Sequence, residues 1–511
     1  MIGVVGTQFK GNLMRERLFQ EILMARQRVY AVAPPTPLER LNLPLDAEVY
    51  IKREDLSPIH AYKWRGAYNR MALLSDEERA AGVVCASAGN HAQGVALASS
   101  KLGVHARIYM PVSTPRMKQH EVRRHGGDHI EIVLIGDSYS EAAGAALDYA
   151  EAQGLTFVHA YDDYATMGGQ GTIADEVVMS GHGAFDVAYL QIGGGGMAAA
   201  VACWLRAYYP DIRIIGVEGV DQASMAAAVR AGKPVALDYV DVFCDGTAVK
   251  KAGALTYPLC AELIDEFITV TNEEVAAAIE ALWNTCRCIS EPAGAMGVAG
   301  LLKQAEQVRG KKVLTVLCGA NVDFEQLAWI SQHAGIGAER RKYYRFRMPE
   351  TPGGLLHLLD SILDGINIIE VQYGKVSNEE AWPVIGFEAS PPALQLLDAR
   401  LTEQRIPHED VTSRADVEFR IIHYEPQLFM HAYLITFEFP ERAGALREFL
   451  HTLEGGSICY FNYTYSGEQV GRALIGFEFA SRDDHDRFRL RLAGSKHAYR
   501  EVEESVLARM L

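Results

Sequence analysis

The sequence predicts an α/β chain in which a parallel-sheet region over residues 1–334 is followed by a duplicated, smaller α+β module. Three observations predict this. Short apolar runs alternate with helix-period segments between residues 48 and 317, the rhythm of parallel strands joined by helical crossovers. A bounded apolar run, 187–192, meets Gly193, Gly194, Gly195 and Gly196 and then an Ala-rich stretch opened by Met197, which reads as strand, turn and helix. In the last third, Phe346, Pro349, Glu350, Gly353 and Leu355 recur as Phe437, Pro440, Glu441, Gly444 and Leu446, each 91 residues later. Gly386, Phe387 and Glu388 recur as Gly476, Phe477 and Glu478, 90 residues later, the mark of an internal repeat.

Composition narrows the function. With 511 residues, 49% of them apolar and 22% charged, the chain is globular and long enough for about three domains. Its 49 basic and 65 acidic side chains give a net charge of -16, which argues against nucleic acid or an anionic membrane as partner and leaves small metabolites. The eight cysteines are scattered, and the nearest pair, Cys286 and Cys288, lacks the spacing of a zinc or thioredoxin-type motif, so no metal is expected. A reducing cytoplasm is the expected compartment. No signal-peptide pattern or membrane-spanning apolar run is present.

The elements follow in order. Helical spacing over 13–32 ends at Pro34, Pro35 and Pro37. A strand at 48–52 leads through Pro58 to Ala61, Tyr62, Lys63 and Trp64 at the start of a helix. Strand 83–85, the turn Ser87, Ala88, Gly89, Asn90 and His91, and helix 92–102 come next. Strand 105–110, helix 115–125, strand 130–135, helix 139–153 and strand 155–160 continue the alternation. Residues 168–172, rich in glycine, are expected to open another helix before the tetraglycine strand. Strand 213–218, a capping-box helix entered through Thr271 and Glu274, an apolar helix beginning at 291–295, strand 312–317 and helix 324–330 complete this part.

Four glycines at a strand-to-helix junction can aim several backbone N–H groups at one anion at the positive end of the helix. Taken alone they fit a flexible turn equally well. A lysine between aromatics at a helix start can have its ammonium pKa lowered by burial, as a Schiff-base lysine requires, although most lysines are simply exposed. In a parallel sheet, ligands sit outside the carboxyl ends of the strands. The Asn90 turn, the glycine cup and Cys318 can therefore converge on one crevice.

At this point the chain resembles the fold-type II enzymes that use pyridoxal 5'-phosphate, and within them the threonine dehydratases. The matching stretches are 52–56, 62–69, 87–94, 169–172, 193–197, 291–295 and 319–321. The resemblance implies a catalytic domain of two open parallel α/β subdomains, the smaller inserted at roughly 48–155. It implies that Lys63 carries the cofactor and then acts as base at the substrate α-carbon. Asn90 would bond the cofactor's 3'-oxygen, Gly193, Gly194, Gly195, Gly196 and Met197 would take its phosphate, and Cys318 would face its ring nitrogen where the family usually has serine. Ser87, Ala88, Gly89, Asn90 and His91 would hold the substrate carboxylate. Ala61 replaces a serine common in the family, and His91 and Glu291 read as loop-shaping about as often as catalytic. The implied reaction converts L-threonine to 2-oxobutanoate and ammonia, with L-serine as a side substrate.

The repeat is similar to ACT-like regulatory modules, placed at 343–415 and 434–511 as a tandem ferredoxin-like α+β domain. By resemblance this pair senses isoleucine and valine, and the protein is a homo-oligomer, a tetramer. Three other readings stay open: a serine dehydratase or racemase, a threonine synthase, and an amino-acid-binding protein with an inactive catalytic half. Chiral analysis of serine incubations and phosphohomoserine turnover separate the first two from a threonine dehydratase.

Overall fold

The computed structural model describes residues 2–360, 366–418, 420–440, 445–452, 457–464, 470–494 and 498–502. The chain divides into two compact units, Met1–Gly337 and Ala338–Leu511. In the first, the strands are β1 (Leu38–Arg40), β2 (Glu48–Arg53), β3 (Val83–Ala86), β4 (Ala106–Met110), β5 (Ile130–Leu134), β6 (Thr156–Phe157), β7 (Val187–Gln191), β8 (Arg213–Gly219), β9 (Glu266–Val270) and β10 (Lys312–Leu317). They form a six-stranded sheet of order β1-β2-β10-β7-β8-β9 and a four-stranded sheet of order β5-β4-β3-β6. Every pairing is parallel except β1 with β2.

The larger sheet is covered on both faces, and side-chain alternation shows why its strands read as continuous apolar runs. Along β7, Ala188 and Leu190 enter one core with Trp204, Met197 and Leu259. Val187 and Tyr189 enter the opposite core with Ile279, Met296 and Val298. The smaller sheet repeats the pattern, with Val83 and Cys85 in one cluster and Val84 and Ala86 in another.

The structure revises several expectations. Glu48–Arg53 pairs with β10 in the six-stranded sheet, so that strand lies outside the smaller subdomain expected at roughly 48–155. Gly168, Gly169 and Gly171 do not open a helix; they lie inside helix Tyr164–Met179. There a Cβ would come within 2.9 Å of the Glu21 carbonyl oxygen, 2.4 Å of that of Arg65 and 2.4 Å of Ile22. These glycines mark close helix packing, which resembles a helix start in sequence. The first helix runs Ile2–Tyr30 and the last Gln326–Gly337, both longer than expected. The 155–160 strand shrinks to Thr156–Phe157. Asn90 is the first residue of its helix, Asn90–Leu102. The capping box of Thr271 and Glu274 is present.

Among the described residues of Ala338–Leu511, eight antiparallel strands form one sheet. The first repeat contributes Arg341–Phe346, Asn367–Gly374, Val384–Glu388 and His408–Asp410; the second contributes Tyr433–Pro440, Ser457–Thr464, Val470–Glu478 and Ala498–Glu501. Each repeat has the strand order 4-1-3-2, and the two join edge to edge where Asn367–Gly374 pairs with Ser457–Thr464. This is the βαββαβ arrangement twice. Both repeats carry a register shift at the same place, between Ile368 and Glu370 and between Ile458 and Tyr460. Glu441 and Gly444 of the repeat, and the expected helix ends at 361–363 and 453, lie outside the described residues. Among the described residues no helix is long and apolar enough to cross a membrane.

Candidate active site

The carboxyl ends of β3, β7 and β10 open on one cavity of about 790 Å³, lined by Lys63, Asn90, Gly193–Gly196, Met197, Glu291 and Cys318 among others. Lys63 is fixed from both sides. Helix Trp64–Ala72 begins immediately after it. Before it, Ala61 bridges Gly319, Tyr62 N–H donates to the Cys318 carbonyl at 3.1 Å, and Ala320 N–H donates to the His60 carbonyl at 2.9 Å. The segment leading to the lysine is thus stitched to the end of β10. Removal of water lowers the Lys63 ammonium pKa, an effect that the nearby Cys318 and Glu291 partly oppose.

Behind Lys63 lies a buried ionic cluster that pattern reading did not find. The Lys52 ammonium sits 2.7 Å from Glu176 and 3.2 Å from Glu54, and the Arg65 guanidinium bonds Glu54 at 2.8 Å and Glu176 at 2.5 Å. The Thr36 hydroxyl donates to Glu54 at 2.5 Å. Burial by itself would raise the Glu54 pKa, but Arg65 and Lys52 more than offset it and hold the carboxyl well below its usual range. Burial likewise opposes the Arg65 charge, and the two glutamates reverse the effect. Two acids and two bases balance, as buried charges must.

The tetraglycine turn is packed so tightly that each glycine is required. A Cβ on Gly193 would lie 2.9 Å from the Thr247 Cα, on Gly194 2.3 Å from the Tyr161 ring, and on Gly196 2.8 Å from the Tyr161 carbonyl oxygen. Gly195 has φ +91° and caps helix Gly196–Tyr208 without any side-chain acceptor. The Thr256 hydroxyl bonds the Gly194 carbonyl at 2.5 Å. The carbonyl side of the turn is thereby fixed in protein, and the unobstructed N–H groups at a helix start remain for an anion.

On the opposite wall, helix Asn90–Leu102 also starts without a side-chain cap, after Gly89. Ser87, Ala88 and Gly89 form the turn, and the Gly89 N–H donates to the Ser87 hydroxyl at 3.2 Å. The Asn90 amide nitrogen donates to both Glu291 oxygens, at 2.8 and 3.0 Å, and its oxygen accepts from Asn321 at 2.7 Å. Burial, reinforced by Asp245, pushes the Glu291 carboxyl up to about 7. Asn321 ends the matching stretch 319–321, which by itself assigns it no role. His91 is buried, with one ring nitrogen 2.9 Å from the Val158 carbonyl, and burial pushes its pKa down to about 3. Its imidazole is therefore neutral. Cys318 points its thiol at the Ala293 carbonyl, 3.6 Å away, and burial with the charge of Glu291 pushes it up to about 12.

These residues suit pyridoxal phosphate: a bare-amide cup, a lysine of lowered pKa and a neutral thiol line one chamber. Residues 29–319 match the family described as "Pyridoxal-phosphate dependent enzyme", and residues 332–420 and 430–511 match the "C-terminal regulatory domain of Threonine dehydratase". A biosynthetic L-threonine dehydratase of Burkholderia multivorans is 37% identical over 95% of this chain and 97% of its own length. The chain belongs to the biosynthetic threonine dehydratase family. Another relative, the biosynthetic L-threonine dehydratase of Escherichia coli, is 36% identical over 92% of each chain. Among solved structures, the processed form of threonine deaminase isoform 2 from Solanum lycopersicum superposes with a TM-score of 0.60 at 39% identity, covering 63% of this chain and 94% of that one. Family membership makes the protein a pyridoxal-phosphate-dependent lyase with a C-terminal regulatory domain.

Proposed function

We propose that this protein dehydrates and deaminates L-threonine to 2-oxobutanoate and ammonia, the entry step of isoleucine biosynthesis, with L-serine as a slower substrate. The observation that carries the reading is a lysine of lowered pKa in one chamber with the four-glycine cup, in a chain alike over nearly its whole length to biosynthetic threonine dehydratases. Lys63 would attach pyridoxal phosphate, Gly193–Gly196 with the Met197 N–H would take the phosphate, and Asn90 and Cys318 would lie against the ring. When bound, that group supplies the electron sink on which charge leaving the substrate α-carbon is spread.

The chain's own residues do the rest. Because desolvation favours the neutral amine, Lys63 is suited to accept the α-proton. In the turn Ser87–His91 the Ser87 and Gly89 N–H groups are taken by the Tyr109 carbonyl and the Ser87 hydroxyl; the remaining N–H groups at the helix start would hold the substrate carboxylate and so aim the Cα–H bond at Lys63. Glu291 and Asn321 fix both ends of the Asn90 amide, so its orientation is set before any ligand arrives. Cys318, neutral throughout the working range, offers no charge to the ring and keeps the sink modest, which suits loss of a β-hydroxyl.

Regulation belongs to the second unit. Isoleucine would inhibit and valine relieve the inhibition. A cavity of about 350 Å³ there is walled by Leu355, Leu356, Leu450, Ile458 and Phe477, with Glu350, Thr351 and Tyr373 among its polar groups; the Tyr373 hydroxyl donates to Glu350. A small branched side chain with a polar head fits that lining. A cytoplasmic homotetramer is part of the proposal and rests on family resemblance; light scattering reads the subunit number. The central test is the visible cofactor spectrum with a 2-oxoacid assay on threonine, with and without isoleucine. Lys63→Ala is expected to abolish turnover and the lysine-dependent absorbance, and an active, yellow Lys63→Ala protein would refute the assignment.

A further inference from the structure

The mouth of the catalytic cavity carries an ion pair that none of the chemistry above uses. Lys118 projects from helix Arg116–Gly126, on the side of the smaller sheet, and its ammonium contacts the carboxylate of Asp245, in the short turn Asp245–Thr247 on the side of the larger sheet. Both residues line the cavity that holds Lys63 and Asn90. Their anchoring differs. The Asp245 turn is anchored: the Thr247 hydroxyl bonds Gln222 at 3.1 Å and the Cys244 carbonyl at 3.0 Å, and the Thr247 backbone packs against Gly193 of the cup. Lys118 reaches it on a flexible four-carbon stem, with one-fifth of its side chain exposed.

Charge on the cavity wall makes the pair informative. Lys63 and Lys118 are the only lysines or arginines among the described lining residues, against the carboxylates of Glu121, Asp245, Asp323 and Glu325 and the Glu291 carboxyl, the last pushed up to about 7 by burial. His91 is neutral, and Lys63 is committed to the cofactor. An α-amino acid must bring its carboxylate into this acidic chamber, and fixed like charges there would oppose it. Lys118 is the one remaining cation that can offset that charge. Its partner, Asp245, is nearly half exposed, so water can solvate the aspartate when the lysine leaves.

We propose that Lys118 is a substrate-capturing residue: parked on Asp245 in the empty site, it exchanges that partner for the carboxylate of the entering amino acid and passes the substrate to the Ser87–His91 loop on the same side of the cavity. This rests on the amino-acid substrate proposed above, and it assigns Asp245 the role of a competing anion that keeps the lysine extended across the entrance. The exchange makes no covalent bond and moves no proton.

The test uses the holoenzyme and steady-state turnover of threonine. Wild-type turnover bears on the functional reading, whereas only ratios of variant to wild type bear on this one. Lys118→Met is expected to raise KM by about tenfold or more with kcat changed less than about threefold. Lys118→Arg should restore most of the affinity, and Asp245→Asn, which removes the competing anion, should leave KM unchanged or lower it. Retained visible absorbance checks that the variants hold the cofactor. If Lys118→Met does not, Lys118→Arg and Asp245→Asn decide the matter. An unchanged KM in Lys118→Met, an equal fall of kcat and kcat/KM without rescue by arginine, or an Asp245→Asn enzyme with a raised KM would each overturn the proposal.

Discussion

Replacing Glu54 by glutamine isolates the contribution of the buried ionic cluster behind Lys63. The substitution keeps the shape but removes one of two negative charges, leaving Lys52 and Arg65 to share Glu176 alone. In the native protein the Glu54 carboxylate accepts from Arg65 Nε at 2.8 Å and Nη2 at 2.9 Å, from Thr36 at 2.5 Å, and meets Lys52 at 3.2 Å. An amide in its place turns an NH2 group toward a guanidinium or leaves it unpaired. Breaking such a pair costs about 3–5 kcal/mol, because an uncompensated charge stays buried. Urea unfolding of the holoenzyme, followed at the cofactor absorbance with equal protein and cofactor concentrations, reads the residues 1–337 unit separately from the rest of the chain. The sign with pH follows from the depressed Glu54 pKa: its contribution is complete above the unfolded value of about 4.3 and is lost as pH falls below it. The gap between wild type and Glu54→Gln should therefore be full at pH 7.5 and begin to narrow near pH 4. Adding Lys52→Met removes the excess charge, and the double variant should cost at least about 1 kcal/mol less than the sum of the single variants. A gap below about 1 kcal/mol at pH 7.5, or one that widens in acid, would show that the Glu54 carboxylate does not stabilise the catalytic unit through this cluster.

Three further outcomes are expected. Cys318→Ser should keep the cofactor and most activity, whereas Cys318→Asp should change the visible spectrum and depress elimination; if both behave like the parent, Cys318 is only a packing residue. Glu218, fully buried and accepting the Met225 and Ala226 N–H groups at 2.8 Å each, has its carboxyl pushed up to about 7 by burial. Its folded pKa lies above the unfolded one, so wild-type stability falls as pH rises from about 4.3 to 7, and Glu218→Gln should gain about 2–3 kcal/mol over wild type between pH 5 and pH 8; a pH-independent difference in denaturation midpoints would contradict this. Truncation belongs after Gly337, because helix Gln326–Gly337 buries Ala334 and packs Gly337 against Glu273. The shortened protein should deaminate threonine yet ignore isoleucine, whereas in the full chain a coupling of about 1–3 kcal/mol shifts threonine affinity roughly 5- to 150-fold; isoleucine inhibition that survives truncation would place the effector site in the catalytic unit.

The sequence by itself determined what local chemistry determines. Alternating apolar runs sufficed for a parallel sheet because each strand buries both faces, as the two cores flanking β7 show. The four glycines marked a tight strand-to-helix turn because no residue with a Cβ can occupy those positions. The fixed offset in the last third announced a duplication, and the structure repeats it in register shifts between Ile368 and Glu370 and between Ile458 and Tyr460. Family motifs named Lys63 and Asn90 before any coordinate placed them in one cavity. Only the tertiary structure decided which distant groups meet. Glycines in series look alike whether they open a helix or let one helix press against another, and 168–171 proved to be the second kind because their neighbours, Glu21, Ile22 and Arg65, come from elsewhere in the chain. The same holds for charges: nothing near Lys52 announces Glu176, nothing near Asn90 announces Glu291, and Lys118 meets Asp245 only because the two sheets face each other across one opening. Periodicity and turn chemistry act over a few residues and are written in the chain, whereas a buried charge takes its partner from whatever the packed fold brings within about 4 Å.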